Sequence, residues 1–393
     1  MADRQRRREL KEVWGTPRSA AGSLWRSVRP TTPPRSRWEF LTSHVWPWLV
    51  NYLRFVFRPR QPFPVYAVPP SAHPGVHSLP ETCVVALAGD WGTGTDSALR
   101  VATQIRGHAP DVTIHLGDVY YSGTAEEYEA YFLGAEGWPR GRLGTYALNG
   151  NHEMYSGGEG YFGRALPRLE QPTSYFCLEN RHWRIVAVDT GYYSRTFPFL
   201  ELLLRNWIRL HPANRRWLRE VVFADPDDRR PVILLSHHQW FSAFEAGYPR
   251  VGANLAPYLD RVGLWFWGHE HQFAAYGPYT PGGTPLIRAR CIGHGGMPIE
   301  VRQLPDRTGP NLVCVDERRL PRPIDGEAIG YCGFALLRFD GPTLDVSYVD
   351  EHGTKLLEER WVRDGAGVVG SVVYGSPGLT IARGKELVDL VAS

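Results

Sequence analysis

Cys83-Val84-Val85-Ala86-Leu87-Ala88-Gly89-Asp90-Trp91-Gly92 is an apolar run that closes on a glycine and a carboxylate. A continuous run of this kind, with β-branched residues in it, reads as a strand buried on both faces. The pattern recurs four times. Residues 112–116 lead into Gly117-Asp118-Val119-Tyr120-Tyr121, and residues 146–148 are followed by Gly150-Asn151-His152-Glu153. Residues 232–235 lead into Ser236-His237-His238, and residues 264–267 into Gly268-His269-Glu270-His271. In α/β sheets ligands gather beyond the carboxyl ends of the strands, so five polar clusters placed there converge although they lie far apart in sequence. The spacing predicts an α/β domain with one site.

The chain has 393 residues, of which 43% are hydrophobic, enough for a large core and more than one domain usually needs. Many of the 14 tryptophans fall in or beside the five runs, where they read as core. The net charge of +3 hides an asymmetry: residues 1–60 carry 13 Lys+Arg against 4 Asp+Glu, and the rest carries 31 against 37. The basic character belongs to the N-terminal segment, and no nucleic-acid partner is expected. Five scattered cysteines, Cys83, Cys177, Cys291, Cys314 and Cys332, form no CxxC pair and argue against a disulfide framework. A reducing, cytoplasmic location is expected, with no signal peptide. The most apolar stretch, residues 45–57, is interrupted by Pro47, Asn51 and Arg54 and is too short to span a bilayer.

Four segments follow. Residues 1–36 are rich in Arg, Pro and Ser, a composition that does not fold alone. Residues 37–80 hold an aromatic stretch (38–57, then Arg58-Pro59-Arg60) and a Pro-rich connector. Residues 38–60 either pack on the main domain or lie on an anionic membrane surface. Residues 81–351 alternate strand and helix patterns, and residues 352–393 form a C-terminal extension without a clear signal. Within the main domain, Asp96 is expected to cap a helix ending at Gly107, and Thr124 with Glu127 to form a capping box. A helix over residues 206–222 is expected to break at Pro212. Asp340-Gly341-Pro342 joins two runs as a hairpin.

Two cations about 3.5–4 Å apart need a carboxylate that bridges them, with imidazoles and oxygen donors completing each shell. Asp118 is the candidate bridge; Asp90 and His271 suit one cation, and Asn151, His237 and His269 the other. Glycines before Asp90, Asp118, Asn151 and His269 fit turns where a Cβ would obstruct the approach.

This set resembles the calcineurin-like metallophosphoesterases, and among them the purple acid phosphatases. The superfamily's first motif is Asp-X-His, whereas here Gly92 stands in the third place. The purple acid phosphatase pattern pairs that loss with a tyrosine in Gly-Asp-X-X-Tyr, and Tyr121 stands at that position. The resemblance implies a metallo-dependent phosphatase fold, two mixed β-sheets in a sandwich flanked by helices. It implies Fe at the Asp90/Asp118/Tyr121/His271 site, since a phenolate is a hard anionic donor, and Fe, Zn or Mn at the Asp118/Asn151/His237/His269 site. It assigns His152 to the phosphate or the leaving oxygen, with Glu153 orienting it. His237 is the preferred ligand of its pair, and His238 then lines the substrate pocket. His294 and Met297 either face the pocket or belong to a structural turn; Tyr120 and Tyr155 read as packing residues, and His115 as a core or surface histidine. The implied activity is hydrolysis of phosphate monoesters. The alternatives are a phosphodiesterase acting on cyclic nucleotides or phospholipid headgroups, or a non-catalytic membrane-associated member of the fold.

Overall fold

The computed structural model describes residues 55, 60–66, 73–194, 207–283, 285–297, 310–320, 329–365 and 367–392. The basic segment 1–36 and, apart from Phe55, the aromatic stretch 38–57 lie outside the described residues. In chain order the strands are β1 (Val76–Ser78), β2 (Thr82–Ala88), β3 (Val112–His115), β4 (Gly144–Ala147), β5 (Phe176–Glu179), β6 (Arg184–Ala187), β7 (Val232–Ser236) and β8 (Val262–Trp267). They continue with β9 (Phe273–Tyr276), β10 (Ala289–Ile292), β11 (Leu312–Asp316), β12 (Gly333–Asp340), β13 (Thr343–Asp350), β14 (Lys355–Asp364), β15 (Gly367–Gly375) and β16 (Leu379–Ile381). One sheet runs β1-β5-β6-β7-β8-β10-β9-β11-β16 and the other β15-β14-β13-β12-β2-β3-β4. Both are mixed, and helices flank them, so the expected two-sheet α/β architecture is present.

Register explains why the clusters meet. β2, β3 and β4 are parallel, with Ala88 beside His115 and His115 beside Ala147. β6, β7 and β8 are likewise parallel, with Ser236 beside Trp267. Each sheet therefore ends several strands at one level, and the next residues leave from a common edge. The edges are tied together: Gly89 N donates to Ile292 O at 3.1 Å, from the second sheet to the first. Between the sheets lies a core that includes Val85, Leu87, Ile114, Ile233, Leu235, Phe266, Leu337 and Trp361, all fully buried. Burial on both faces is what made these strands read as unbroken apolar runs.

α1 (Asp96–Gly107) buries Ala98, Val101, Ala102 and Ile105 against the outer face of β2. Its cap is Thr95, whose hydroxyl accepts from Ala98 N, while Asp96 occupies the first helical position. α2 (Ala125–Glu127) has the expected capping box. α3 (Asn151–Met154) opens at the third cluster. Pro212 starts α4 (Pro212–Trp217), with His211 as its cap, instead of breaking a longer helix, because proline suits the first turn, where no intrahelical N–H partner is needed. α5 (Pro249–Leu255) follows the fourth cluster. Asp340 and Thr343 close the β12–β13 hairpin around Gly341, whose φ is +55°. The boundary expected at residue 351 falls inside the sandwich: β14 and β15 extend one sheet and β16 completes the edge of the other.

Candidate metal centre

Three candidate ligands adopt the left-handed backbone region: Asp90 (φ +58°), Asp118 (φ +71°) and His269 (φ +65°). Each follows directly on a glycine after its strand, so the chain reverses at the donor residue itself. Side chains rarely adopt this conformation, and it concentrates at functional sites. The neighbouring glycines allow close approach. A Cβ on Gly268 would lie 2.7 Å from Asp90 Oδ2, one on Gly117 would lie 2.8 Å from His237 Nδ1, and one on Gly150 would collide with Asp118 Oδ1.

The donors form two groups that share one carboxylate. In the first, Tyr120 Oη donates to Asp90 Oδ1 at 2.8 Å and lies 2.7 Å from His271 Nε2. In the second, Asn151 Oδ1 is 3.0 Å from both His237 Nε2 and His269 Nδ1. Asp118 Oδ2 stands between them, 3.4 Å from Tyr120 Oη and 3.3 Å from His237 Nε2. Asp90, Asp118 and His237 offer ligand atoms within 4.8 Å of one another, as do His237, His238 and His269. His237 Nδ1 lies 2.9 Å from Leu116 O. With that nitrogen donating, Nε2 keeps the lone pair on the donor side.

The phenol in the first group belongs to Tyr120, not to Tyr121. Backbone anchoring on either side of the pair sets the choice. Tyr120 N donates to Gly92 O at 2.9 Å, which draws its ring in beside the Asp90 loop. Tyr121 N donates to Glu127 Oε1 at 2.7 Å, and the Tyr121 phenol lies by Tyr131 and Glu127. Tyr120 had read as a packing residue; the one-residue difference lies in a loop, where no strand or helix period fixes the facing side.

The donor set, two carboxylates, an amide oxygen, three imidazoles and a phenol, suits two hard or borderline cations. Asp90 and Asp118 are both buried, and glycines clear the space around their oxygens. Residues 84–273 match the family model described as calcineurin-like phosphoesterase, and all seven donors lie within that span. These residues are a calcineurin-like phosphoesterase domain. Its chemistry is metal-dependent hydrolysis of phosphoesters. Among solved structures, the chain is similar to PhoD (13% identity, TM-score 0.49, covering 84% of this chain and 76% of that one). It is also similar to GAP50, the anchor in the inner membrane complex of Plasmodium (14%, TM-score 0.47, 70% and 87%). A dimetal phosphatase from Danio rerio follows (12%, TM-score 0.40, 70% and 98%). No curated protein matches the sequence.

Electrostatics in the phosphoesterase site follow from burial and close charges. Burial pushes the Asp118 carboxyl up, but His237 and His152 outweigh it and hold the group well below the usual carboxylate range. Burial lowers His237, yet Asp118 raises it to about 10. Burial, His238 and His237 push His269 well down, which leaves it a neutral donor. Burial together with Asp90 and Asp118 raises the Tyr120 phenol far above its ordinary value, so it ionises only with a cation at hand.

The remaining residues sort by what they touch. His152 packs at a tilt against Tyr120 with ring centroids 4.3 Å apart, its Nδ1 is 2.8 Å from Tyr121 O, and its Nε2 lies 3.8 Å from Asp118 Oδ2. Glu153 does not orient it. The Glu153 carboxylate accepts from Asp118 N, Val119 N, Gly150 N and Tyr128 Oη at 2.7–3.1 Å, stapling the second and third clusters together. His238 turns to Thr190 Oγ1 and Ser194 Oγ at 3.1 and 3.4 Å while staying near His269. His294 is not brought to the donors: its ring packs on Phe273 in the core, with Gly333 against Nε2. His115 is a core residue beside Trp138 and Phe132, and its Nε2 accepts from Trp91 N. Three further residues support the donors: Tyr155, which had read as packing and whose hydroxyl accepts from Asn151 Nδ2 at 3.0 Å; Glu270 of the fifth cluster, bonded to Ser242 Oγ; and Tyr248, which no sequence signal marked, 2.9 Å from His269 Nε2.

Proposed function

We propose that this phosphoesterase hydrolyses phosphate monoesters in the manner of purple acid phosphatases, with Tyr120 as the hard anionic donor. Asp90, Tyr120 and His271 would hold iron, Asn151, His237 and His269 would hold Fe, Zn or Mn, and Asp118 would serve both. The observation that carries this reading is the single oxygen Asp118 Oδ2, within 3.4 Å of Tyr120 Oη on one side and His237 Nε2 on the other. Bound there, two cations would polarise the phosphoryl group and acidify the attacking water.

The side chains supply the rest. Nδ1–H of His152 donates to Tyr121 O, which fixes the ring and leaves Nε2 on the open side of the site. An imidazole in that place can give a proton to the leaving alkoxide or phenoxide oxygen. His152, His269 and His271 are the partly exposed members of the set, and they mark the side from which substrate would enter. The preference for monoesters rests on glycine at 92 together with a phenol in the second cluster, which Tyr120 supplies one residue before the place the purple acid phosphatase pattern gives it.

The experiment is metal analysis and visible spectroscopy on the purified protein, alongside a panel of aryl monoesters and diesters. Two metals per chain, at least one iron, and a phenolate-to-metal band are expected. Tyr120→Phe should remove the band and Tyr121→Phe should keep it; the reverse pattern would return the ligand role to Tyr121. Asp118→Asn should abolish turnover of aryl phosphate. Faster cleavage of diesters than of monoesters would overturn the substrate assignment and leave the metal assignment standing.

A further inference from the structure

Tyr248 lies at the end of the segment that follows the fourth cluster and reaches back to the fifth. Its hydroxyl is 2.9 Å from His269 Nε2, its ring centroid is 4.8 Å from that of His238, and the residue is buried. His269 presents its other nitrogen, Nδ1, to Asn151 Oδ1 at 3.0 Å. A neutral imidazole has one N–H and one lone pair. If Nδ1 is the donor atom toward a cation, Nε2 carries the proton and must give it to an acceptor, and the phenolic oxygen of Tyr248 is the acceptor in place.

The segment carrying Tyr248 is held at several points. Tyr248 N donates to Gln239 O, next to the histidine pair. Ser242 Oγ donates to Glu270 Oε1, within the same Gly-His-Glu-His turn that carries His269. Ser242 Oγ also accepts from Phe244 N and Glu245 N at 2.9 and 3.2 Å. Gly247 packs against Trp240 O, and Gly252 of α5 packs against the Trp240 indole, where any side chain would collide. Ser242 and Tyr248 thus grip the turn from two sides, one through the segment's middle and one through its end.

We propose that Tyr248 is a positioning residue for the second cation site: it accepts from His269 Nε2–H and fixes the tautomer that leaves Nδ1 free to ligate. The proposal rests on the two-cation reading of the site. Hydrogen-bond partners of ligating histidines typically change metal affinity 10- to 100-fold when removed. Tyr248→Phe keeps the ring that packs on His238 and deletes only the hydroxyl.

The test is calorimetric titration of the metal-free full chain with Zn²⁺, read as two binding events, together with the visible band of the iron-loaded protein. In Tyr248→Phe one event should weaken by roughly 10- to 100-fold while the other event and the band remain as in the parent. Ser242→Ala, which frees the segment but leaves the hydroxyl, should weaken the same event by a smaller factor and serves as the test should Tyr248→Phe not fold. Equal weakening of both events, or two events unchanged in Tyr248→Phe, would overturn the positioning role alone. A parent chain that binds fewer than two ions would overturn the two-cation reading itself, and this role with it.

Discussion

His294 shows how much the surroundings of one side chain decide. It follows β10 by one glycine and sits among glycines, features shared with the residues that ligate, yet its ring is enclosed with Phe273 and its Nδ1 has no hydrogen-bond partner among the described residues. Burial and the Arg318 guanidinium push its imidazole down to about 3, against a smaller opposing effect of Asp350. In the unfolded chain a histidine titrates near 6.5. Between these values the unfolded chain binds a proton that the folded chain refuses, so stability is full above about pH 6.5 and falls as pH drops toward 3. His294→Leu should therefore make unfolding in urea less dependent on pH, sparing roughly 2 kcal/mol between pH 6.5 and 4.5. His115, lowered to about 3 chiefly by burial, keeps part of the slope. KM for an aryl phosphate should stay at the parent value; a raised KM with an unchanged slope would place His294 in the substrate pocket after all.

Between elements, the decisive contact joins the loops after β2 and β3. Gly92 and Val119 form a parallel bridge, Asp90 N donates to Gly117 O at 2.9 Å, and Tyr120 N donates to Gly92 O at 2.9 Å. A Cβ on Gly92 would meet Val119 Cγ2 at 2.7 Å and Val119 Cα at 2.8 Å. The third place of the first motif is therefore closed to any side chain, and the same approach carries Tyr120 into the site. Gly92→Ala should separate the two loops, cost about 1–3 kcal/mol as overpacking does, and weaken the Tyr120 band measured in the iron-loaded protein. An unperturbed spectrum would show that the approach is not needed. The strands and their polar ends were legible because burial on both faces writes itself as an unbroken apolar run. Asn151, His269 and His271 follow such runs directly and sit where the spacing implies. Tyr120 was not legible, since a loop has no period and the backbone bonds of Tyr120 to Gly92 and of Tyr121 to Glu127 decide which tyrosine turns inward. Thr95 and Asp96 differ by one residue for the same reason, as both types favour helix starts.

At the scale of the molecule, the two sheets depend on the last forty residues, which carried no clear sequence signal. β15 reads Gly-Val-Val-Gly-Ser-Val-Val-Tyr-Gly, apolar on both faces, so the alternation that marks a half-buried strand is missing even though one face is exposed. β14 supplies Leu356, Leu357 and Trp361 to the core between the sheets. It also supplies Glu359, fully buried, which pairs with Arg290 of β10 in the opposite sheet, with Arg290 Nε 3.1 Å from Glu359 Oε2. Tyr348 Oη donates to the same carboxylate at 3.0 Å. Removing one partner of a buried pair strands the other charge in a low-dielectric interior, at a cost of about 3–5 kcal/mol. Glu359→Gln should lower stability by roughly that amount, read from denaturant midpoints at constant slope. A chain ending at residue 351 loses the pair and the core residues of β14 together. It should show no cooperative thermal transition by circular dichroism and no metal-dependent shift. A truncated chain that melts as sharply as the full one would mean that the sandwich closes without its C-terminal strands and that Arg290 finds another counter-ion.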